Sequence, residues 1–256
     1  MSNEKELLYE KKGRIAYITF NRPNKINAIT NEMYDLLEES VYDYTHDENL
    51  LCAVVTGAGG NFSSGADLKQ DRRAGGSHRD YGMFPAYRAM NQCQKPIIAA
   101  VDGYCLASGF NCAVLYCDFR IASDRAKFGI PAVKRGLSLP YPITFTHHMS
   151  LGNALYMVLT GKILSAEEAQ NMGIVSEVVP HEKLMDHVME VATTITEAAP
   201  THIRLHKQFL RNLVEVPGSF GQGLIDIITP SLRNMEDSTE GRRAFIEKRK
   251  PEFKNR

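Results

Sequence analysis

Two glycine-containing turns are where this sequence concentrates backbone groups that could do chemistry. Ser64-Gly65-Ala66 follows a predicted strand, and Ser108-Gly109 opens a predicted short helix. The first amides of a helix have no partner inside it, and a turn after a strand also frees N–H groups. Two such donors can converge on one oxygen and stabilise negative charge that develops there. Each turn on its own has a simpler interpretation, as a connection between two elements.

Hydrophobic periodicity predicts the elements that position these turns. Residues 14–20 alternate as a strand does, and residues 7–10 can pair with them across Lys12-Gly13, so we expect a hairpin. Thr30 or Asn31 can cap the helix that follows. The next elements are predicted as helix 32–45, strand 51–56, helix 81–94, strand 96–101, helix 109–115 and strand 118–122. Short strands separated by helices indicate an α/β fold.

The character of the sequence changes after Leu151. Apolar residues recur at helical spacing in four stretches, which are residues 154–159, 166–172, 184–198 and 203–213. The C-terminal part is therefore predicted to be mainly helical.

Composition restricts the kind of partner. The 256 residues, 43% of them hydrophobic, can bury the core of one large domain, and 30 basic side chains balance 30 acidic ones. Because the charges cancel, the protein has no net electrostatic field that would attract nucleic acid or an anionic membrane. We therefore expect a small-molecule partner.

Location and metal content are also constrained by the residues present. The five cysteines have neither C-x-x-C spacing nor a zinc pattern, which favours free thiols in a reducing compartment and no metal site. The polar N-terminus lacks the apolar stretch of a secretory signal, and no apolar run approaches the roughly 18 residues of a spanning helix. We expect a cytoplasmic protein.

A series of motifs in order resembles the crotonase (enoyl-CoA hydratase/isomerase) superfamily along nearly the whole chain. Each motif alone is weak evidence, but their shared order makes chance a poor explanation. The motifs are residues 21–28 (NRPNKINA), 62–69 (FSSGADLK), 95–103 (KPIIAAVDG), 107–118 (ASGF to CD), 128–131 (FGIP), 159–161 (LTG), 165–169 (SAEEA), 173–175 (GIV) and the tail 244–251 (AFIEKRKP).

The resemblance implies an architecture and a substrate class. We expect a spiral of repeated ββα units over residues 1–195, followed by a helical trimerisation region over residues 196–256, and assembly as a homotrimer or hexamer. The family acts on acyl-coenzyme A thioesters as a lyase or isomerase, often in fatty acid metabolism. Coenzyme A would then enter as part of the substrate, with no prosthetic group.

The resemblance also assigns roles to particular residues. Ala66 and Ser108 match the residues whose amides form an oxyanion hole around the thioester carbonyl. The family usually has glycine at position 108, so a serine here narrows the cavity or adds a hydroxyl. Residues matching the coenzyme A groove are Lys25, Ala28, Ser64, Ala66, Asp67 and Leu68, with Phe245 and Lys248 completing a neighbour's site. For the lysines, solvated surface charge is an alternative interpretation.

The sequence departs from the family at the acid and base positions. Hydratases of this family use two glutamates, and the matching residues here are Asn111 and Ala132. Neither side chain can take up a proton as a carboxylate does. The glycine-rich loop of relatives is replaced by residues 138–142 (SLPYP), whose prolines should stiffen it.

Other side chains could replace the missing carboxylates. Tyr141 in the altered loop could donate a proton or hydrogen bond, or it could simply fill space left by glycines. His147 and His148 are predicted at the start of a helix, and Cys105 and Cys112 flank the second turn. Buried cysteines of this kind are usually inert.

Two classes of function follow. The first is an enzyme that stabilises a thioester enolate and performs decarboxylation or hydrolysis of an acyl-CoA rather than ordinary hydration. The second is a catalytically silent acyl-CoA binding protein, which would bind the thioester without turnover.

Overall fold

The N-terminal hairpin begins a six-stranded sheet in the computed structural model, which describes residues 5–69, 83–135, 142–213 and 235–254. β1 (Leu7–Lys12) pairs antiparallel with β2 (Ile15–Phe20), which confirms the predicted hairpin. The strands that follow are β3 (Cys52–Gly57), β4 (Ile97–Val101), β5 (Tyr104–Leu106), β6 (Phe119–Ser123), β7 (Lys127–Gly129), β8 (Ile163–Ser165) and β9 (Glu177–Val179).

The strands divide between two sheets, and the chain passes repeatedly from one to the other. The larger sheet has the order β1-β2-β3-β4-β6-β9, in which every pair after the hairpin is parallel. The smaller sheet has the order β5-β7-β8. Because β5 and β7 each follow a strand of the larger sheet, the chain alternates between the sheets as it advances. This arrangement confirms the predicted α/β class.

Helices cover the sheets and extend to the C-terminus. The α-helices of the described ranges are α1 (Asn31–His46), α2 (Met83–Gln92), α3 (Ser108–Asn111), α4 (Leu151–Thr160), α5 (Ala166–Asn171), α6 (Leu184–Thr196), α7 (Pro200–Leu213) and α8 (Glu236–Glu247). Thr30 is the N-cap of α1, since its hydroxyl accepts from Met33 N at 3.0 Å. α3 continues directly into a π-helical turn, Cys112–Tyr116.

The larger sheet is buried on both faces, as parallel sheets usually are. Along β4, Ile97, Ala99 and Val101 face the main core, whereas Ile98 and Ala100 face a smaller core under α6. The main core lies on the side of α1 and α2, so this face positions the elements around α3.

Some predictions were wrong or incomplete. β5, β7, β8 and β9 have only three residues each, too few to show a period, and the sequence did not predict them. His147 and His148 do not start a helix: the first ends the 3-10 helix Pro142–His147, and the second follows it. In the ranges that are described, no helix is both long and apolar enough to cross a membrane.

Candidate active site

The turn at Ser64-Gly65-Ala66 is held against the strand that leads into α3. Ser63 N donates to the Tyr104 carbonyl at 2.7 Å, and Leu106 N donates to the Ser63 carbonyl at 2.8 Å. Ser63 and Cys105 form a parallel bridge between these stretches. The two predicted turns, 44 positions apart in sequence, are therefore brought side by side by backbone pairing.

Each candidate amide follows a residue with an unusual backbone conformation. Gly65, before Ala66, has φ of 105°, and Ala107, before Ser108, has φ of 49° and ψ of −114°. Glycine adopts positive φ freely, but a residue with a Cβ pays roughly 1–3 kcal/mol in such a region. The surrounding structure holds Ala107 in place, since its N–H donates to the Gly129 carbonyl at 2.9 Å.

Glycines at positions 65 and 109 let the two segments touch. A Cβ built on Gly65 would lie 2.8 Å from the Cβ of Ala107 and 3.4 Å from the nitrogen of Ser108. A Cβ built on Gly109 would lie 2.7 Å from the Cβ of Ser63. Contacts below 3.0 Å are too short for carbon atoms, so a larger residue at either position would force the segments apart.

The N–H groups of Ala66 and Ser108 have no acceptor within the ranges that the structure describes, from either backbone or side chain. The neighbouring Asp67 N–H, by contrast, donates to the Ile29 carbonyl at 2.8 Å. Ser108 is buried, whereas Ala66 is partly exposed. Buried backbone donors are nearly always paired, so the unpaired Ser108 donor is unusual. Both N–H groups are available to an oxygen from a ligand.

Asn27 is buried under the first turn and forms several hydrogen bonds there. Sequence reasoning did not identify this residue. Its Nδ2 donates to the carbonyls of Ala58 at 2.9 Å and Asn61 at 2.6 Å, and its own carbonyl accepts from Ser63 Oγ at 2.7 Å. Ser63 Oγ in turn accepts from Gly65 N at 3.1 Å. The only sequence signal was an asparagine inside the motif of residues 21–28, which does not disclose these tertiary partners.

The two residues that the resemblance matches to the hydratase glutamates are both buried. Asn111 lies three residues after Ser108, on the same face of the helical turn, and only 3% of it is exposed. Its Oδ1 has no hydrogen-bond partner in the described part of the chain. Ala132, in the 3-10 helix Pro131–Arg135, is 8% exposed.

The buried carboxylate nearest in sequence to this region is already engaged. Asp102 accepts from Arg125 Nε and Nη2 at 2.7 and 2.6 Å and from Ser123 Oγ at 2.6 Å. Burial alone would raise the pKa of Asp102, but the hydrogen bonds from Arg125 and Ser123 lower it overall. Asp102 is a structural anion and does not replace a catalytic glutamate.

The groove candidates from the first half of the chain lie on two neighbouring segments. They are Lys25, Ala28, Ser64, Asp67 and Leu68. Ser64 N donates to the Ile26 carbonyl at 2.9 Å, which joins residues 22–30 to residues 63–69. The Asp67 carboxylate pairs with Arg22 Nη1 at 2.9 Å, and this hydrogen bond lowers the pKa of Asp67. Its carboxylate therefore holds the two segments together, while Lys25 and Leu68 are exposed.

The two tail candidates lie at the end of α8. Phe245 is 85% exposed, and Lys248 caps the helix with φ of 53°. No hydrogen bond between described residues links either of them to the groove segments. Their contribution to a neighbour's site stays a prediction.

Tyr141 and His148 are the remaining candidate acids. Tyr141 lies outside the described residues. Burial lowers the pKa of His148 to about 4, with a further contribution from Arg120, so the ring is neutral at neutral pH.

The candidate cysteines Cys105 and Cys112 are fully buried. Burial raises the pKa of Cys105 well above its usual value. For Cys112, the neighbouring Cys117 thiol and then burial have the same effect. Neither thiol is a nucleophile at neutral pH. In the described ranges, no group of three His, Cys, Asp or Glu side chains is arranged to hold a metal.

Comparison with known proteins identifies the family of this chain. Residues 10–256 match the enoyl-CoA hydratase/isomerase family. The chain is 32% identical to a probable enoyl-CoA hydratase of Mycobacterium bovis, over 98% of each chain. It is also 32% identical to 2,3-dehydroadipyl-CoA hydratase of Escherichia coli, over 98% of this chain and 99% of that one.

A solved structure is similar over the full length of both chains. The crystal structure of enoyl-CoA hydratase subunit I from Geobacillus kaustophilus superposes with a TM-score of 0.90, at 32% identity and with complete coverage of both chains. The protein belongs to the enoyl-CoA hydratase/isomerase family and has the crotonase fold.

Proposed function

We propose that this protein binds an acyl-coenzyme A thioester and stabilises the enolate oxygen between the N–H groups of Ala66 and Ser108. The observation that carries the proposal is the pair of unpaired amides on touching segments, each following a residue of unusual backbone conformation. Such donors are already aimed before the reaction, so no reorganisation is needed when charge develops. Removal of one comparable donor reduces the rate by about 10²- to 10³-fold in other enzymes.

The neighbouring segments supply the surface for coenzyme A. Residues 22–30 and 63–69 are joined by backbone hydrogen bonds beside the Ala66 amide. Lys25 is exposed on this surface and is suited to a phosphate, whereas Ala28, Ser64 and Leu68 would contact the rest of the cofactor portion. The names of the two relatives above, each a hydratase of a CoA thioester, support this substrate class.

The side chains at positions 111 and 132 favour a reaction other than hydration. Hydration needs a group that removes a proton from water and returns one to the α-carbon. Asn111 and Ala132 supply neither function. We therefore propose that this chain departs from the reaction for which those relatives are named.

Decarboxylation is the reaction that the site would serve best. When a 2-carboxyacyl thioester loses CO2, the electron pair of the broken C–C bond passes to the α-carbon and onto the thioester oxygen. The two amides stabilise that oxygen directly, and water then supplies the proton that completes the acyl-CoA product. Hydrolysis of an acyl-CoA is the nearest alternative, since it also places negative charge on the same oxygen.

We also propose assembly into a homotrimer or hexamer. α4 presents exposed apolar side chains at Leu151, Leu155, Tyr156 and Leu159, with Leu159 69% exposed. Exposed apolar surface on one helix supports an interface between copies, and the exposed Phe245 on α8 supports a contribution to a neighbouring site. Light scattering of the purified protein would measure the assembly.

A panel of thioesters tests the reaction. We expect mass spectrometry to detect CO2 loss from malonyl-CoA or methylmalonyl-CoA, or hydrolysis of a β-keto-acyl-CoA, and negligible hydration of crotonyl-CoA. Rapid crotonyl-CoA hydration would contradict the interpretation of Asn111 and Ala132. Binding of acyl-CoA without turnover of any member of a broad panel would instead indicate the catalytically silent class.

A further inference from the structure

Arg22 lies beside the first turn, and its guanidinium group binds three separate stretches of the chain. Nη1 donates to the Ala28 carbonyl at 2.7 Å and to the Asp67 carboxylate at 2.9 Å. Nε pairs with the Glu6 carboxylate at 3.0 Å. Only 18% of the Arg22 side chain is exposed. Charge-assisted hydrogen bonds in such a partly buried place hold their geometry better than ion pairs on an open surface.

Two of these partners flank a short β bridge that carries the Ala66 amide. Ile29 and Ala66 pair as a parallel bridge, in which the Ile29 N–H donates to the Gly65 carbonyl at 2.8 Å. The Asp67 N–H donates to the Ile29 carbonyl, also at 2.8 Å. In a parallel bridge of this pattern, the N–H of the residue between the two bonded ones points away from the opposite strand. The register of the bridge therefore aims the Ala66 N–H.

Arg22 adds a contact across this bridge. The bridge has only two backbone hydrogen bonds, and so small a piece of strand pairing is weak by itself. Arg22 Nη1 joins Ala28, the residue before Ile29, to Asp67, the residue after Ala66. A slip by one residue would separate Ala28 from Asp67, so one nitrogen atom fixes the register of both segments.

Arg22 is itself held from two sides, as a group that positions another must be. Its backbone N–H donates at 2.8 Å to Oδ1 of Asn27, the residue buried under the first turn. The Glu6 carboxylate that pairs with its side chain also accepts from the hydroxyl of Thr30, the N-cap of α1. The guanidinium group is therefore attached to the start of β1 and to the start of α1.

We propose that Arg22 is a positioning residue for the oxyanion site. Together with Glu6 and Asp67, it keeps the bridge between Ile29 and Ala66 in register and so directs the Ala66 N–H at the thioester oxygen. Arg22 acts through the backbone and does not bind the thioester carbonyl. A misplacement of about 1 Å can cost a reaction about 10²-fold in rate, so a small shift of this bridge matters. This inference rests on the proposed thioester site.

The infrared frequency of a bound thioester carbonyl tests this role. The probe is butyryl-CoA labelled with ¹³C at the thioester carbon, and at saturation its frequency reports hydrogen bonds to that oxygen rather than affinity. We expect Arg22→Met to move the frequency back towards its value in water and to lower the kcat of the most active thioester about 10- to 100-fold. Arg22→Lys keeps the charge but cannot bond to all three partners at once, so its frequency should lie between the two.

Arg211→Met is the matched control. Arg211, on α7, also pairs with an aspartate, Asp118, at 3.0 Å, and its side chain is 24% exposed. It has no hydrogen bond to residues 22–30 or 63–69 in the described ranges. We expect Arg211→Met to lose stability in urea unfolding and to keep both the bound carbonyl frequency and the kcat of the unmodified protein.

Asp67→Asn tests whether the two partners act through one contact. The substitution keeps the shape of the side chain and removes its charge, so it also serves as the test if Arg22→Met does not fold. We expect the frequency of the double variant Arg22→Met, Asp67→Asn to equal that of Arg22→Met alone, since the same contact is already lost. Fully additive frequency changes would show that the two residues act independently and would overturn the proposal.

The outcomes separate this inference from the proposed function. If the unmodified protein lowers the carbonyl frequency and folded Arg22→Met lowers it equally, the positioning role is wrong and the thioester site stands. The same holds if Arg211→Met loses the lowered frequency as well. If the unmodified protein does not bind butyryl-CoA, or binds it without lowering the frequency, the proposed function and this inference fall together.

Discussion

Ser108 is the position at which a single substitution tests the proposed chemistry most directly. We expect Ser108→Pro to reduce turnover by about 10²- to 10³-fold, because proline removes the N–H that would hold the oxyanion. Position 108 is the first residue of α3, a position that accepts proline in helices, and its N–H has no acceptor to lose in the described ranges. Proline also restricts the residue before it, and Ala107 has φ of 49° and ψ of −114°, so the backbone there must adjust in the variant. Steady-state kinetics on the most active thioester of the panel would measure the effect.

Ser108→Ala is the control for that substitution, since it keeps the amide and removes only the hydroxyl. We expect it to retain most of the activity, with both variants checked by circular dichroism for an intact fold. Equal losses in the two variants would point to the side chain and away from the amide.

Restoring the two family glutamates tests the residues that depart from the pattern. Asn111→Glu combined with Ala132→Glu should produce hydration of crotonyl-CoA that the unmodified protein lacks, because a carboxylate pair can move the protons of water. Each single variant is the control and should hydrate far less. A folded double variant with no hydration would indicate that these positions do not face the reacting carbons.

At the scale of elements, the close approach of two segments is the feature on which the site depends. Gly65→Ala would put a Cβ 2.8 Å from the Cβ of Ala107 and would force a side chain into φ of 105°. We expect a loss of stability of about 1–3 kcal/mol and a loss of activity of at least tenfold, measured by urea unfolding and by turnover.

Gly152→Ala is the matched control for this glycine. Gly152 lies inside α4, and a Cβ there would meet nothing within 4 Å. The substitution should leave activity unchanged and raise stability by up to about 1 kcal/mol, since alanine favours helix. If Gly65→Ala behaved in the same way, the contact between the two turns would not matter for function.

Periodicity and turn chemistry predicted the elements whose own residues show a recognisable pattern. The hairpin alternates, α1 has a capping threonine and an apolar face, and β4 is a continuous apolar run, so each could be predicted locally. The three-residue strands of the smaller sheet have no such signal. β5 and β7 are strands because they pair with each other, about twenty positions apart, and that pairing is a property of the folded chain.

The same distinction applies to the site. Ala66 and Ser108 could be selected because glycine turns mark backbone amides, and the order of motifs then supplied their role. Asn27 could not, because its significance lies in partners such as Asn61, which the sequence does not place beside it. The predicted division of the chain at residues 195 and 196 stays a prediction.

At the scale of the whole molecule, partly buried ion pairs connect the helical C-terminal part to the sheet. Lys207 and Arg211, both on α7, pair with Asp118 at 2.9 and 3.0 Å, just before β6. Asp118 also accepts from the Ile97 N–H at 2.7 Å, at the start of β4. α7 is therefore attached to the neighbouring strands β4 and β6, close to the end of the π-helical turn that follows α3.

This packing leads to a prediction for stability against pH. The pKa of His148 is lowered to about 4 by burial and by Arg120 and Arg211, below the ordinary value of 6.5. A histidine whose folded pKa is depressed contributes stability above the unfolded pKa, and this contribution is lost as pH falls from 6.5 towards 4. The full contribution is about 3 kcal/mol at most, since each pKa unit corresponds to 1.36 kcal/mol.

Replacement of His148 tests the assignment. We expect His148→Gln to flatten the fall in unfolding free energy between pH 6.5 and pH 4, measured by urea unfolding at a series of pH values. The carboxylate contributions are common to both proteins and cancel in the difference. Parallel curves for the two proteins would show that His148 titrates in the folded state much as it does in the unfolded chain.

The most direct measurement for the central claim is the infrared stretching frequency of a bound thioester carbonyl, isolated by ¹³C labelling of butyryl-CoA at that carbon. Two backbone donors on one oxygen polarise the C=O bond. We therefore predict a bound frequency below that of the same thioester in water, and a partial return towards the water value in Ser108→Pro. A bound thioester whose carbonyl frequency equals or exceeds the value in water, with no change in Ser108→Pro, would contradict the account.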